Sequence, residues 1–205
     1  MDWAGAIKLN SEALKGVIDV LFAMLGLGSG DTQTRISMTL YRAVLRLLQP
    51  AESALRRLIV IAARGLVVKV TPPRPRLARP ISRLVAKKKR LNVSFQLFDT
   101  RKDFTREFNR VFDQGTGTKP ERMVNAAPLT QRLLILKSAF EDLPRQAQRF
   151  ARWRIRRENL KSPKFTSPFR PGPPPGHRKK KIHEVDEALS ECHYFAYYAL
   201  KPDTS

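Results

Sequence analysis

Residues 129–150 read LTQRLLILKSAFEDLPRQAQRF, and this stretch decides the fold class. Its apolar residues recur at alternating spacings of four and three: Leu129, Leu133, Leu136, Phe140, Leu143, Ala147 and Phe150. Such a stripe over about three heptads predicts a helix that packs against another helix or against a partner chain. We expect Pro144 to lie in a first helical turn, so the helix either restarts or kinks after Asp142.

An arginine series overlaps the end of this stripe and predicts an amphipathic, Arg-rich helix over residues 129–158. Four arginines recur at i, i+4, i+7 and i+11 and form one predicted helix face, here named the Arg face: Arg145, Arg149, Arg152 and Arg156. Phe150, Trp153 and Ile155 lie among them. Arginines with interleaved aromatic residues suit phosphate contact combined with stacking or cation–π contact. The same arrangement suits a helix that lies on anionic lipid.

The N-terminal residues 1–65 predict a helical hairpin. One helix covers residues 3–25, and a second apolar series runs from Met38 to Ala62. Pro50 interrupts the second series, so either the helix kinks there or a new helix begins with Pro50 in its first turn.

The C-terminal region, residues 183–205, predicts a final helix over 183–200. Its aromatic cluster is expected to dock on the rest of the protein: Tyr194, Phe195, Tyr197 and Tyr198. The predicted fold class is therefore mostly α, a small helical bundle with long Pro-rich basic connectors that are partly disordered.

Two connectors separate these helical regions. Residues 66–128 form a basic, Pro-rich and extended connector, in which residues 66–70 predict a short strand. Apolar and polar residues then alternate over 91–97, which predicts a strand or an extended segment docked along the helices, on residues 66–70 or on a partner chain. Residues 159–182 predict a disordered basic linker.

The formal net charge of +21 is distributed unevenly along the chain. Residues 1–34 carry −2, residues 35–181 carry +27 and residues 182–205 carry −4. Self-repulsion at the density of the central region opposes compaction unless a polyanion neutralises it. Nucleic acid and an anionic membrane surface are the two candidate partners.

Anion contacts are predicted at the Arg face and at two tracts in the connectors. The tracts are Lys87, Lys88, Lys89 and Arg90, and Lys179, Lys180 and Lys181. Nothing in the sequence indicates readout of bases, so these contacts should be made mainly to phosphates and should weaken strongly with salt. The stripe of 129–150 adds a second candidate interaction, with a helical protein partner or a second copy of the chain.

The cysteine count and the first apolar run bear on location. A single cysteine, Cys192, excludes an intramolecular disulfide framework and favours a reducing compartment. The apolar run over residues 17–27 contains Asp19 and is shorter than the roughly 20 residues that a spanning helix needs. We therefore predict a cytoplasmic protein, with the inner face of the cytoplasmic membrane as the alternative location.

Three histidines and Cys192 fall close together near the C-terminus: His177, His183 and His193. Zinc sites favour ligand pairs a few residues apart that point at one centre, a spacing that this cluster lacks. Cys192 and His193 diverge on a helix because they are adjacent, which argues against a nucleophile–base pair. We predict no catalytic residue and no cofactor, and keep metal binding by this cluster as an alternative.

Several segments resemble a group of basic alphaproteobacterial proteins for which no activity is established. These segments are DLPRQAQRFARW (142–153), RPGPPPGH (170–177), HEVDEALSECH (183–193), DTS (203–205), RRLIVIAARG (56–65) and LFD (97–99). The resemblance implies a bacterial protein and carries no catalytic residues over to this chain.

The leading functional prediction is a non-enzymatic adaptor that contacts a polyanion without sequence specificity. Nucleic acid is favoured over anionic lipid as that polyanion. The second is a peripheral inner-membrane protein, with its N-terminal apolar helix in the interface and its basic tracts on anionic headgroups. The third is the metal-binding protein described above.

Overall fold

The computed structural model describes residues 1–27, 34–69, 94–99, 123–158 and 167–201. The mostly α prediction is confirmed, since these residues form five helices and one two-stranded ribbon that share a hydrophobic core. In chain order the elements are α1 (Trp3–Met24), β1 (Arg35–Ser37), α2 (Met38–Ala62), β2 (Met123–Asn125), α3 (Ala127–Glu141), α4 (Leu143–Glu158) and α5 (Glu184–Leu200).

The first two helices form the predicted antiparallel hairpin. The Asp2 side chain accepts a hydrogen bond from the Gly5 amide at 2.8 Å and so caps the start of α1. The guanidinium of Arg64, just beyond α2, lies 4.5 Å from the ring centroid of Trp3. The start of α1 therefore lies beside the end of α2. Leu14 and Leu21 of α1 are fully buried, so the apolar side of this helix faces the core.

α2 is the central helix of the bundle, and it packs against each of the other four helices. It runs without a break through Pro50, which settles the choice that the sequence left open between one helix and two. The Pro-rich segment before α5 lies directly against this turn. A Cβ added to Gly176 would lie 2.6 Å from the backbone nitrogen of Pro50, so only glycine allows this approach.

The apolar stripe of residues 129–150 is divided between α3 and α4. The helix ends at Asp142, whose φ of −107° and ψ of 37° leave the helical region, and Pro144 then lies in the first turn of α4 as predicted. Leu129, Leu133 and Phe150 of the stripe are buried within the single chain. Most of the stripe is thus buried within one chain, whereas Phe140 and Leu143 are half-buried.

The only strands in the described ranges are β1 and β2, which pair antiparallel with Ile36 opposite Val124. The predicted strand over 66–70 is wrong where it is described, because residues 66–69 follow α2 as an irregular segment. β1 and β2 have three residues each, too few to show the period-two pattern that identifies a strand in a sequence.

The alternation around residue 95 marks a segment that docks along the helices. Phe95 and Leu97 are buried, whereas Ser94 and Gln96 between them are exposed. The segment pairs with neither β strand, so over the described residues 94–99 it docks on the helices and does not join a sheet. The remainder of the predicted connector, residues 70–93 and 100–122, lies outside the described residues.

Residues 167–182 differ from the disordered linker expected over 159–182. Phe169 is buried, and the carbonyl of Pro168 accepts a hydrogen bond from the Asp99 amide at 3.0 Å. Arg178 donates to the carbonyl of Arg46 on α2 at 2.9 Å. Composition alone predicted an extended solvated segment, but one buried aromatic ring and these polar contacts hold the segment on the bundle. Residues 159–166 lie outside the described part of the chain.

α5 buries one side and exposes its tyrosines. Val185, Leu189 and Cys192 are fully buried, as the periodicity predicts. Phe195 docks edge-on against Trp3 with ring centroids 5.6 Å apart. The rest of the aromatic cluster does not dock as expected, since three tyrosines remain more than a third exposed: Tyr194, Tyr197 and Tyr198.

Candidate functional site

The Arg face lies on the solvent side of α4. All four of its arginines are exposed, while Ala147, Phe150 and Ala151 on the opposite side of the helix are buried. Because the helix rises about 1.5 Å per residue, the row from Arg145 to Arg156 is about 16 Å long. Packing of the buried side against the core holds this row in one orientation.

The four arginines differ in the contacts that they make. Arg149 donates from Nη1 to the carbonyl of Phe95 at 2.9 Å and so ties α4 to the docked segment. Arg145 lies 3.5 Å from the Asp142 carboxylate in a contact that is largely exposed. Arg152 and Arg156 make no hydrogen bond or ion pair with any other described residue. Within the described residues, the C-terminal half of the row therefore presents positive charge that no carboxylate balances.

The aromatic residues among these arginines are engaged inside the protein. The Trp153 ring lies 4.7 Å from that of Phe98 and 5.5 Å from that of Phe150, measured between centroids. The Arg157 guanidinium lies 5.7 Å from the Trp153 ring. Phe150 is buried and Trp153 is half-buried among these contacts, so the Arg face offers mainly charge.

Only one of the two basic connector tracts lies within the described residues. Lys179, Lys180 and Lys181 are exposed in the segment that leads into α5. The tract from Lys87 to Arg90 lies outside the described residues.

A second feature, which the sequence analysis missed, is a buried arginine on α2. Arg57 is 0% exposed and uses three of its nitrogen atoms in hydrogen bonds. Nη2 donates to Asp99 Oδ2 at 2.9 Å, Nη1 to the carbonyl of Ser53 at 2.9 Å, and Nε to His193 Nδ1 at 3.1 Å. The ring of Phe169 stacks on the guanidinium at 4.5 Å. Arg57 thereby joins α2, α5 and both docked segments.

Arg57 belongs to a row of alternating charges. Arg56 lies 3.6 Å from Asp99 Oδ1 and 3.6 Å from Glu52 Oε2. Arg132 of α3 binds Glu52 in a bidentate pair, with distances of 3.0 and 2.9 Å. Three arginines therefore share two carboxylates. We name these five residues the ionic network: Arg132, Glu52, Arg56, Asp99 and Arg57.

Burial disfavours the charged forms of the two arginines at the centre of this network. It lowers the pKa of Arg57, and the charge and hydrogen bond of Asp99 oppose that shift. Burial likewise lowers the pKa of Arg56, against the charges of Glu52 and Asp99. Arginine nevertheless stays protonated in proteins, so the carboxylates are needed to balance charges that have lost their water. The sequence carried one signal of this, two adjacent arginines within the apolar series of α2.

The C-terminal His/Cys cluster is dispersed in the structure. Cys192 lies in the core, His193 accepts from Arg57, and His183 and His177 are exposed. Across the described ranges, no three His, Cys, Asp or Glu side chains come together as they would to hold a metal ion. Burial raises the pKa of the Cys192 thiol to about 12, which removes its nucleophilic form at neutral pH.

In the described part of the chain, no helix has both the length and the apolar character needed to cross a membrane. Comparison with protein-family models, with curated proteins and with solved structures found no match to this chain. Fold and site together thus define a mostly α, strongly basic protein with an exposed arginine face and a buried ionic network.

Lowering the pH below about 6.5, the ordinary pKa of histidine, is expected to destabilise the protein through His193. Burial and the Arg57 charge lower the pKa of His193, since the protonated ring could not accept the Arg57 hydrogen bond. Below pH 6.5 the unfolded state therefore binds the proton first, and stability falls until the native pKa is reached. Urea unfolding measured at several pH values tests this.

His193→Gln, which keeps an acceptor but does not titrate, should flatten the pH dependence in this range. The matched control is His183→Gln at an exposed histidine that does not act on His193, which should leave the pH dependence unchanged. Equal curves for the native protein and His193→Gln would contradict the assignment.

Proposed function

We propose that this protein is a non-enzymatic adaptor that binds a polyanion without sequence specificity. The proposed polyanion is nucleic acid. The observation that carries the proposal is the Arg face, a row of exposed guanidiniums on a helix whose other side is buried. Duplex DNA carries one negative charge per roughly 1.7 Å of its axis, so a row of about 16 Å lies within reach of several phosphates.

The charge around the Arg face supports a strong electrostatic contribution. α4 contains six arginines and a single acidic residue, Glu158. Arg156 and Arg157 lie in its last turn, where the helix dipole stabilises positive charge. With the nearby aromatic rings engaged in packing, recognition rests on phosphates and not on bases.

The docked segment supports a contribution from the Lys87–Arg90 tract. Arg149 holds the carbonyl of Phe95, and Ser94 is separated from Arg90 by only three residues. Since each residue of chain spans at most about 3.6 Å, the chain length limits Arg90 to about 18 Å and Lys87 to about 29 Å from Phe95, which is anchored on the Arg face. One polyanion can therefore contact both the Lys87–Arg90 tract and the Arg face.

The triple substitution Arg145→Gln, Arg152→Gln and Arg156→Gln should weaken binding to a short duplex DNA on the order of a hundredfold at about 0.1 M salt. Each lost phosphate contact should also reduce the slope of log affinity against log salt by about 0.9. Fluorescence anisotropy over a range of salt concentrations measures both. Arg149 is retained because of its bond to Phe95.

A control triple removes the same charge elsewhere, at three exposed cations: Lys8→Gln, Lys15→Gln and Arg35→Gln. This control variant should show the same slope of log affinity against log salt as the native protein. Equal losses in both triples would show that net charge alone matters and would overturn the site. Binding to anionic vesicles in place of DNA would overturn nucleic acid as the ligand and favour the membrane alternative.

A further inference from the structure

A cavity of about 270 Å³ lies at one end of the ionic network, between α2, α3 and the docked segment. Its lining includes polar groups from each of these elements, among them one carboxylate between two guanidiniums: Glu52, Ser53, Arg56, Gln96 and Arg132. It is slightly smaller than typical sites for drug-sized molecules, so its size suits a small ion or metabolite.

The guanidiniums at the cavity keep N–H donors that make no hydrogen bond within the described residues, although both Nη atoms of Arg56 also pair with carboxylates at 3.6 Å. A guanidinium has five N–H donors, yet among the described residues Arg56 uses one in a hydrogen bond, to the carbonyl of Gln96 at 3.1 Å, and Arg132 uses two, both to Glu52. The hydroxyl oxygen of Ser53, a residue 0% exposed, has no hydrogen-bond partner in the same part of the chain. A buried polar atom without a partner is costly and indicates a missing partner.

The charges at this end of the network are also unbalanced. Three arginines face two carboxylates, which leaves one positive charge in excess among side chains that, apart from the partly exposed Arg132, are largely shielded from water. Electrostatic attraction in such a place is stronger than in bulk water, so an anion gains more there than at the exposed Arg face.

We propose that this cavity binds a small oxyanion, of which inorganic phosphate is the simplest example. Arg56 and Arg132 converge on the same Glu52 oxygen, at 3.6 and 2.9 Å, so an ion beside this carboxylate lies within reach of the remaining N–H donors of both guanidiniums. A tetrahedral oxyanion has further oxygens for Ser53 and for the Gln96 side chain. The site stands apart from the Arg face and does not depend on the function proposed above.

Isothermal titration calorimetry of the full chain with inorganic phosphate should show saturable binding of one ion. Arg132→Gln should weaken it at least tenfold, since a charge-assisted hydrogen bond is lost. Ser53→Ala should weaken it about fivefold. Because Arg132 is partly exposed and Ser53→Ala removes only a hydroxyl, at least one of these variants is expected to fold.

Arg152→Gln is the matched control, since it removes one arginine from the Arg face. This variant should leave phosphate binding unchanged and weaken binding to duplex DNA. Arg132→Gln should weaken phosphate binding and leave binding to duplex DNA unchanged. Absence of saturable binding, or equal loss of phosphate affinity in both arginine variants, would overturn the oxyanion site. A failure of DNA binding alone would overturn only the polyanion proposal.

Discussion

Asp99→Asn is expected to lower the free energy of unfolding by about 3–5 kcal/mol, the usual effect of removing one partner of a buried ion pair. Asp99 Oδ2 lies 2.9 Å from Arg57 Nη2, and both side chains are 0% exposed. Asparagine keeps the shape but removes the charge, which leaves Arg57 buried without a counterion. Chemical denaturation followed by circular dichroism measures the loss.

Two comparisons separate this effect from a general loss of contacts. Glu141→Gln breaks the exposed pair with Lys137, at 3.9 Å, and should change stability by less than about 1 kcal/mol. Replacing both partners, with Arg57→Met and Asp99→Leu, should recover much of the loss because the buried charge of Arg57 is removed together with its counterion, while Arg56 keeps Glu52. A loss below about 1 kcal/mol in Asp99→Asn would show that the pair is not important for stability.

The thiol of Cys192 is expected to react with a thiol-specific reagent roughly a thousandfold more slowly in the native protein than in the unfolded chain at pH 8. Burial raises the pKa of this thiol to about 12, against an ordinary value of about 8.5, and only the thiolate reacts. The side chain is also 0% exposed. Spectrophotometric titration of free thiol, with and without denaturant, gives the two rates.

The matched control places a cysteine on the exposed side of the same helix, as Tyr197→Cys in a Cys192→Ser background. This thiol should react at a similar rate in the native and unfolded protein. Native protein with rapid reaction at Cys192 would contradict its burial in the core. Asp99→Asn should accelerate reaction at Cys192, since a less stable fold opens more often.

The helices could be predicted because their signals are local. α1 was predicted over 3–25 and is observed over Trp3–Met24, since apolar spacing of three and four residues identifies a helix side without knowledge of its partner. The alternation around Phe95 predicted either a strand or a docked segment, and the structure shows docking. The β ribbon could not be predicted, because each strand has three residues and their partners lie far apart in the sequence.

The two sites differ in how much could be predicted. The Arg face follows from the spacing of its arginines, and their exposure in the structure agrees with that pattern. The ionic network could not be derived, because Arg57 and Asp99 are 42 residues apart and charged residues usually lie at the surface. Assigning Phe169 to a disordered linker also concealed the ring that stacks on Arg57.

By itself, then, the sequence determined the fold class and the apolar side of each long helix. It also determined that residues 35–181 carry a net charge of +27. These properties depend on spacing and composition along the chain. Only the tertiary structure decided which arginines remain in solvent and which are buried with Glu52 and Asp99. That choice depends on how distant segments pack, because burial of a charge is tolerated only where a second segment supplies its counterion.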